Sequence, residues 1–526
     1  MNRPAPSTTA SDGIVELNED VSGSPYYSHD MAPVPRAGRR WGMKDIAVLW
    51  ISMSACIPTY MLAAGLINEG MNWWQAVLTI FLGNVIVLLP MVLNAHAGTK
   101  YGIPFPVYCR ASFGIRGANI PALLRALVAC GWFGIQTWIG GAAIYAIGGV
   151  FFPGWKDLAP IEHLGINAAQ LGCFLFFWLI NMFVIFKGIE SIRVLLNIKA
   201  PLLIALGLLL LAWAYLAAGG FGDMLSHPSQ FEAGQPKAGQ FWNYFLLALT
   251  GNVSFWATLA LNIPDFSRYA RSQRDQIGGQ VLGLPTTMGL YSFIGVAVTS
   301  AAFVIYKDLP ADAKKNLWDP IFLLAQFKNP AVLIVAMVSL VVATLATNIA
   351  ANVVSPANDF AHLWPKVISF RVGGLITGII GILIQPWRIL ENASVYIDKW
   401  LVGYSLLLGA VGGVLIADYI FVRRTHLDQA GLYKKHGPYW YSGGFNWMAI
   451  IALLLGISIC LPGFFAVIGV VALRGDATAA PDLIRVPDFF GHIYTFAWFA
   501  SFGLSFVSYL LLMRIGGPRQ LGRVDD

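Results

Sequence analysis

Trp132 and Gln136 stand four residues apart in CGWFGIQTWIGG, which places them on one face of a helix. An indole plane beside an amide that both donates and accepts suits a flat, uncharged heterocycle carrying N–H and C=O groups. A second indole, Trp256, follows LLALTGNVSF, where Gly251, Asn252 and Ser254 interrupt an apolar run, and is placed to cover the opposite face of such a ring. Two further stretches gather polar groups in apolar surroundings. WISMSACIPTYMLAAG sets Pro58 among Ser52, Ser54 and Thr59, and VVATLATNIAANVVSP carries Thr344, Thr347, Asn348 and Asn352. Tryptophan is plentiful here, 18 in all, so interfacial anchoring competes with a binding role. Trp73, Trp74 and Trp155 read as anchors; Trp132 falls near the middle of its segment, where anchoring explains little.

The elements that must position these residues are membrane helices. Of 526 residues, 57% are hydrophobic and only 12% charged, about half the charged share of a soluble globular chain. The apolar residues fall in twelve blocks, near 45–68, 74–95, 118–149, 166–187, 194–218, 240–262, 283–306, 331–355, 371–387, 399–422, 446–472 and 490–514. Most are about 20 residues or more, the length that crosses a bilayer as a helix. They are apolar on all faces and lack the alternation of β-barrel strands. The sequence predicts an all-α integral membrane protein with twelve transmembrane helices.

Basic residues set its orientation. Arg36, Arg39, Arg40 and Lys44 precede the first block; Lys100, Arg110 and Arg116, then Lys187 and Arg193, Arg268, Arg271 and Arg274, Lys366 and Arg371, and Arg423, Arg424, Lys434 and Lys435 occupy alternate loops, and Arg514, Arg519 and Arg523 follow the last. Both termini are expected in the cytoplasm of a bacterial inner-membrane protein. The net charge of +7 is then accounted for by topology and anionic lipid rather than nucleic acid. Residues 1–40 read as a disordered cytoplasmic tail without a cleavable signal. Cys56, Cys109, Cys130, Cys173 and Cys460 show no metal-ligand spacing.

Backbone groups freed at a helix break find no partner in lipid, so a broken helix belongs where it lines a cavity. The first and sixth blocks are both interrupted and stand five apart, which points to two inverted five-helix repeats with a site at the midplane. Proline and glycine also serve merely to bend or pack helices, and that plainer account stands beside this one. Asp265, Asp359 and Asp418 lie at segment ends near basic loops and read as salt-bridging or capping groups. No HExxH pair, Walker A sequence or kinase-like glycine loop is present.

HAGTKYGIPFPVYCRASFGIRGANIPALLRAL (96–127), GWFGIQTW (131–138), WATLALNIPDFSRYAR (256–271), ATNIAANVVSPA (346–357) and ADYIFVRR (417–424) closely resemble the nucleobase:cation symporter-1 family, in collinear order from about residue 40 to about 460. The resemblance leans to the allantoin and hydantoin permease branch, which includes the benzyl-hydantoin transporter. It implies a LeuT-type fold working by alternating access: a ten-helix core over 41–424 (repeats about 41–218 and 240–424), a loop and two additional helices over 425–514, and a cytoplasmic tail over 515–526. It further implies that Trp132 and Trp256 sandwich the heterocycle and that Gln136 and Asn352 bond its amide edge. A coupling cation would sit between the carbonyls of Ser52 and Ala55 and those of span eight, the Ala343 carbonyl and the Thr347 hydroxyl. The chain departs from the family twice. Ala346 stands where sodium-binding members carry Ser or Thr, which removes one oxygen ligand from a hard cation. Cys56 stands where the hydantoin transporter has a Gln facing substrate, and a thiol is a weak donor.

The expected function is cation-coupled import of a small neutral nitrogen heterocycle, allantoin, hydantoin or a pyrimidine-type nucleobase such as uracil, with purine or cytosine transport as the alternative. Na+ or H+ is the coupling ion; no other cofactor, metal or obligate protein partner is expected. A membrane enzyme would need an acid–base, nucleophile or metal cluster at mid-depth, which is not seen. A passive channel would need a continuous polar pore rather than one polar cluster.

Overall fold

The computed structural model describes residues 13–516 except 188, 365 and 477, and the side chains of residues 189–200 and 223 lie outside the description, as do both chain ends. The expectations on Arg193, Arg519, Arg523 and most of the 515–526 tail therefore fall outside it. Helices make up nearly all of the regular structure, and a two-residue parallel pair, Ala472–Leu473 with Arg485–Val486, is the one sheet among the described residues. Helix dominates because spans in lipid must satisfy their own backbone groups.

The chain opens with two half-helices, α1 (Met43–Ser54) and α2 (Ile57–Asn68), bent by 57° at the break between them. Then come α3 (Trp73–Tyr101), the short α4 (Phe105–Phe113), α5 (Asn119–Phe151), α6 (Ala168–Lys187) and α7 (Ile189–Ala217). A second pair of half-helices, α8 (Phe241–Phe255) and α9 (Ala257–Asn262), precedes α10 (Gln273–Ile305). Next, α11 (Pro330–Asn352) hands over to α12 (Val354–Leu363), and α13 (Phe370–Leu383) follows. Two π-helical turns, Val395–Leu401 and Ala417–Val422, bracket α14 (Val402–Ile416), and α15 (Trp447–Ser458), α16 (Leu461–Val467) and α17 (Ala497–Gly516) end the chain.

Seven helices among the described residues are long and apolar enough to cross a membrane, or nine when α1 with α2, and α15 with α16 (bent by 40°), are each taken as one span. The sequence-based figure of twelve is not reached by that measure. Three expected spans are left out of it: α13 has only 14 residues, about 21 Å of rise, α8 and α9 are each short because the chain breaks at Trp256, and of α7 only Pro201–Ala217 is counted.

Both sites of interruption differ in detail from expectation. Pro58 does not kink a helix interior; it occupies the second position of α2, where a missing N–H costs nothing. The break precedes it, at Ala55 (ψ 87°) and the extended Cys56 (φ −149°, ψ 160°). Gly251, Asn252 and Ser254 lie inside α8. Asn252 Nδ2 donates to the Ala248 carbonyl (2.8 Å) and Ser254 Oγ to that of Thr250 (2.6 Å), so both donors are met within the helix and the break falls at Trp256.

Residues 13–40, expected as a disordered tail, are packed. Ile14, Val15, Val21 and Met31 are buried, and Val15 N donates to the Lys100 carbonyl. Arg39 explains the order: its guanidinium reaches the carbonyls of Val15, Val34 and Thr99 at 2.9–3.0 Å and that of Lys100 at 3.2 Å, closing the C-terminal end of α3 with a positive charge.

Small residues let the helices approach closely, the main device for packing where lipid removes the hydrophobic drive. A Cβ on Gly83 of α3 would lie 2.5 Å from Asn252 Cβ of α8, and one on Gly134 of α5 would lie 2.5 Å from the Gly381 carbonyl oxygen of α13. Gly83→Leu is expected to lower the detergent-solubilised protein's melting temperature and monodisperse fraction, since overpacking costs about 1–3 kcal/mol. Gly172→Ala, which meets nothing within 4 Å, should leave both unchanged in fluorescence-detected gel filtration.

Candidate substrate cavity

The two helix breaks face α5 and α11 across a cavity lined by Met53, Cys56 and Pro58 at the first break, Trp132 and Gln136 of α5, Phe255, Trp256, Thr258 and Leu259 at the second break, and Thr347, Ala351 and Asn352 of α11. All five residues expected to meet substrate, Cys56, Trp132, Gln136, Trp256 and Asn352, are brought together here. Of the cation set, Thr347 shares the lining; Ser52, Ala55, Ala343 and Ala346 lie outside it. Thr347 Oγ1 donates to the Ala343 carbonyl at 2.9 Å, so those two oxygens are adjacent.

The indoles are fixed by edge contacts. Trp132 meets Phe255 at 5.2 Å and 77°, and Tyr396 and Trp400 at 6.2 Å each. Trp256 meets Trp50 at 5.3 Å and 85°, and Phe255 at 5.0 Å and 82°. Packing at these angles orients the indole planes at the cavity wall. Phe255, in contact with both indoles, was not singled out in the sequence, nor was the aromatic series Tyr396, Trp400 and Tyr404. Its signal was present: three aromatics at four-residue spacing share one helical face. Tyr404 OH donates to the Ser254 carbonyl at 2.7 Å, which ties this series to the end of α8. Gly131 makes room for it, because a Cβ there would lie 2.1 Å from the Trp400 ring.

The polar groups fall into two kinds. Gln136 Oε1, Trp132 Nε1 and Trp256 Nε1 are buried with no hydrogen-bond partner in the protein. Buried polar atoms are nearly always satisfied, so the unmatched acceptor between two indoles marks a place where a ligand can supply the partner. Asn352 is held instead: its Nδ2 donates to Asn348 Oδ1 (3.1 Å), and Asn348 Nδ2 reaches the Phe133 carbonyl, Thr137 Oγ1 and Asn181 Oδ1 at 3.1–3.2 Å. Asn181 donates in turn to the Phe177 carbonyl. This chain fixes Asn352 from behind; Asn181 was missed in the sequence, although a lone Asn inside FLFFWLINMFVIF was the signal. Cys56 Sγ lies 3.2 Å from Thr59 Oγ1, so the thiol already shares a hydrogen bond.

The room left between these side chains is about 30 Å³, enough for about two waters and far below the roughly 300–1,000 Å³ of a ligand pocket. The rings must part before a heterocycle enters. The acidic residues at segment ends make pairing and capping contacts: Asp418 pairs with Arg423 at 2.7 Å, Asp359 with Arg125 at 2.8 Å, and Asp265 accepts from the first backbone N–H of α4.

Residues 33–479 match the family described as permease for cytosine/purines, uracil, thiamine, allantoin. The chain is 44% identical to the purine-uracil permease of Arabidopsis thaliana, over 93% of this chain and 78% of the relative. It is 38% identical to the allantoin permease of Bacillus subtilis, over 94% of each chain. Its fold matches a nucleobase-cation-symport-1 family transporter solved in a closed conformation with bromovinylhydantoin bound, with a TM-score of 0.71, 23% identity, and coverage of 93% of this chain and 95% of that one. An all-α membrane transporter fold, its motifs and its cavity thus agree, and the chain belongs to the permease family for cytosine and purines, uracil, thiamine and allantoin.

Proposed function

We propose that this protein imports a small neutral nitrogen heterocycle of the allantoin, hydantoin or uracil type by cation-coupled alternating access. Purines and cytosine are the alternative substrates within the same family. The observation that carries the reading is the unmatched buried acceptor Gln136 Oε1 at a cavity walled by two indoles. In this proposal Trp132 and Trp256 cover the two faces of the ring, Gln136 and Asn352 bond its amide edge, and Cys56 sets selectivity at the first break. An N–H on the ligand answers Gln136 Oε1, and a ligand carbonyl answers the amide N–H of Gln136 or Asn352. A ring lacking either leaves a buried group unpaired and is rejected by that penalty. The relatives named for purine and uracil and for allantoin support this substrate class.

The finer architecture belongs to the same proposal: twelve spans built as two inverted five-helix repeats plus two, in a bacterial inner membrane, with both termini on the cytoplasmic side. Coupling one cation per substrate at about 100 mV supplies about 2.3 kcal/mol, roughly fortyfold accumulation. The ion would lie among the Ser52, Ala55 and Ala343 carbonyls and the Thr347 hydroxyl, with Ala346 contributing no oxygen. A sodium ion whose shell water completes fits that set; a proton, the alternative ion, would need a titratable carrier outside it.

Trp132→Ala and Gln136→Ala are each expected to abolish saturable uptake of labelled allantoin or uracil into proteoliposomes while the protein remains folded. Unchanged uptake kinetics in folded Gln136→Ala would refute the site assignment. Imposed sodium and proton gradients, tested separately, identify the ion. If sodium drives transport, Ala346→Ser should lower the sodium concentration for half-maximal uptake several-fold by restoring an oxygen ligand. If the proton does, that variant should leave the sodium response flat.

A further inference from the structure

One layer of buried polar groups lies next to the cavity, on the side where α5 begins and α9 and α12 end. Arg125 is seven residues before Trp132 on α5, Asn262 four after Thr258 on α9, and Ser355 and Asp359 three and seven after Asn352 along α12. Asp265 follows in the short helix Pro264–Ser267. At 1.5 Å per residue the layer sits about 5–10 Å beyond the cavity. Arg125, Asn262 and Asp359 are 0–1% exposed, and Ser355 2%.

Their bonds cross a seam between two groups of helices. On one side, α9 and the Pro264–Ser267 turn are knitted to α3: Asn94 Nδ2 donates to the Ala260 carbonyl (2.8 Å), Thr99 Oγ1 to that of Ser267 (3.1 Å), and Ser267 Oγ to that of Ala95 (2.9 Å). On the other side, α5 and α12 are joined by Arg125 Nη1 and Asp359 Oδ2 at 2.8 Å. Asn262 and Asp265 bridge the two. With both ends of its amide satisfied, Asn262 Nδ2 donates to the Thr258 carbonyl (2.7 Å), while Oδ1 accepts from Arg125 Nη2 (3.2 Å) and touches the Ser355 hydroxyl. Ser355 Oγ lies 2.6 Å from Asp265 Oδ2.

As a stabiliser this layer is a poor choice, because a buried ion pair recovers little beyond its own desolvation. It is also incompletely satisfied: Arg125 Nε and Asp359 Oδ1 are buried without a partner. Water reaching the layer would satisfy both atoms and replace the bonds across the seam. Closed and parted arrangements are thereby brought close in free energy, the property a moving element needs.

We propose that Arg125, Asn262, Asp265, Ser355 and Asp359 form a gate that closes the cavity toward the end bearing the N-terminal segment and parts to release the transported molecule. Arg125 and Asp359 stay paired through the movement. Asn262 and Asp265 exchange Ser355 and Arg125 for water. The proposal rests on the transport reading above for what passes, but not on which heterocycle it is.

Cys56 reports on the gate, because its thiol lines the cavity. In full-length protein with Cys109, Cys130, Cys173 and Cys460 replaced by Ala, a membrane-impermeant maleimide is applied to either face of oriented vesicles. Ser355→Ala and Asn262→Ala, checked for folding by gel filtration, should each raise Cys56 labelling from the N-terminal side on the order of tenfold, the equilibrium shift expected for losing one hydrogen bond to a charged network. Labelling from the opposite face should not rise. Unchanged labelling in both variants, or an equal rise on both faces, overturns the gate. If the labelling shifts while Gln136→Ala transports normally, the gate stands and the substrate-site reading falls.

Discussion

A peptide group without a hydrogen-bond partner cannot be left in hydrocarbon, and the arrangement of this protein follows from how that constraint is met. Nearly every element is a helix because a helix pairs its own backbone. Two of the places where pairing stops, Ala55–Cys56 and Trp256, lie inside the bundle and wall the cavity. Each break also redirects side chains. The extended Cys56 and the turn at Trp256 bring a thiol and an indole to a midpoint where continuous helices would present only one face each.

The remaining helices hold this arrangement. Glycines such as Gly83, Gly131 and Gly134 let neighbouring helices or rings come within contact of the broken pairs. Edge-on aromatic contacts orient Trp132 and Trp256, and the Asn352–Asn348–Asn181 chain holds the amide of α11. The polar atoms left over at the cavity are on Gln136, Trp132 and Trp256. A closed slot with room for about two waters and unmatched polar atoms is suited to a ligand that arrives only when the helices shift.

Much of this was legible in the sequence, and the reasons differ by element. Trp132, Gln136, Trp256 and Asn352 stood out because polar and aromatic groups at mid-span are costly, so their presence needs a cause. The breaks were legible in place but not in register. Pro58 and Gly251 drew attention, yet the chain breaks beside them, since proline is comfortable at a helix start and Asn252 and Ser254 donate to the preceding turn of their own helix. The packed segment over 13–40 was hidden because its composition is that of a disordered tail; its order comes from tertiary contacts of Arg39 and a few buried apolar residues. Asn181 and Phe255 were missed because each is a single residue whose partners lie on other helices.

A structure with allantoin or uracil bound tests the central claim most directly. The account places the ring between Trp132 and Trp256 at stacking distance, with its N–H on Gln136 Oε1 and a carbonyl on the amide N–H of Gln136 or Asn352. Ligand density elsewhere in the molecule, with Gln136 Oε1 still unmatched, would contradict it.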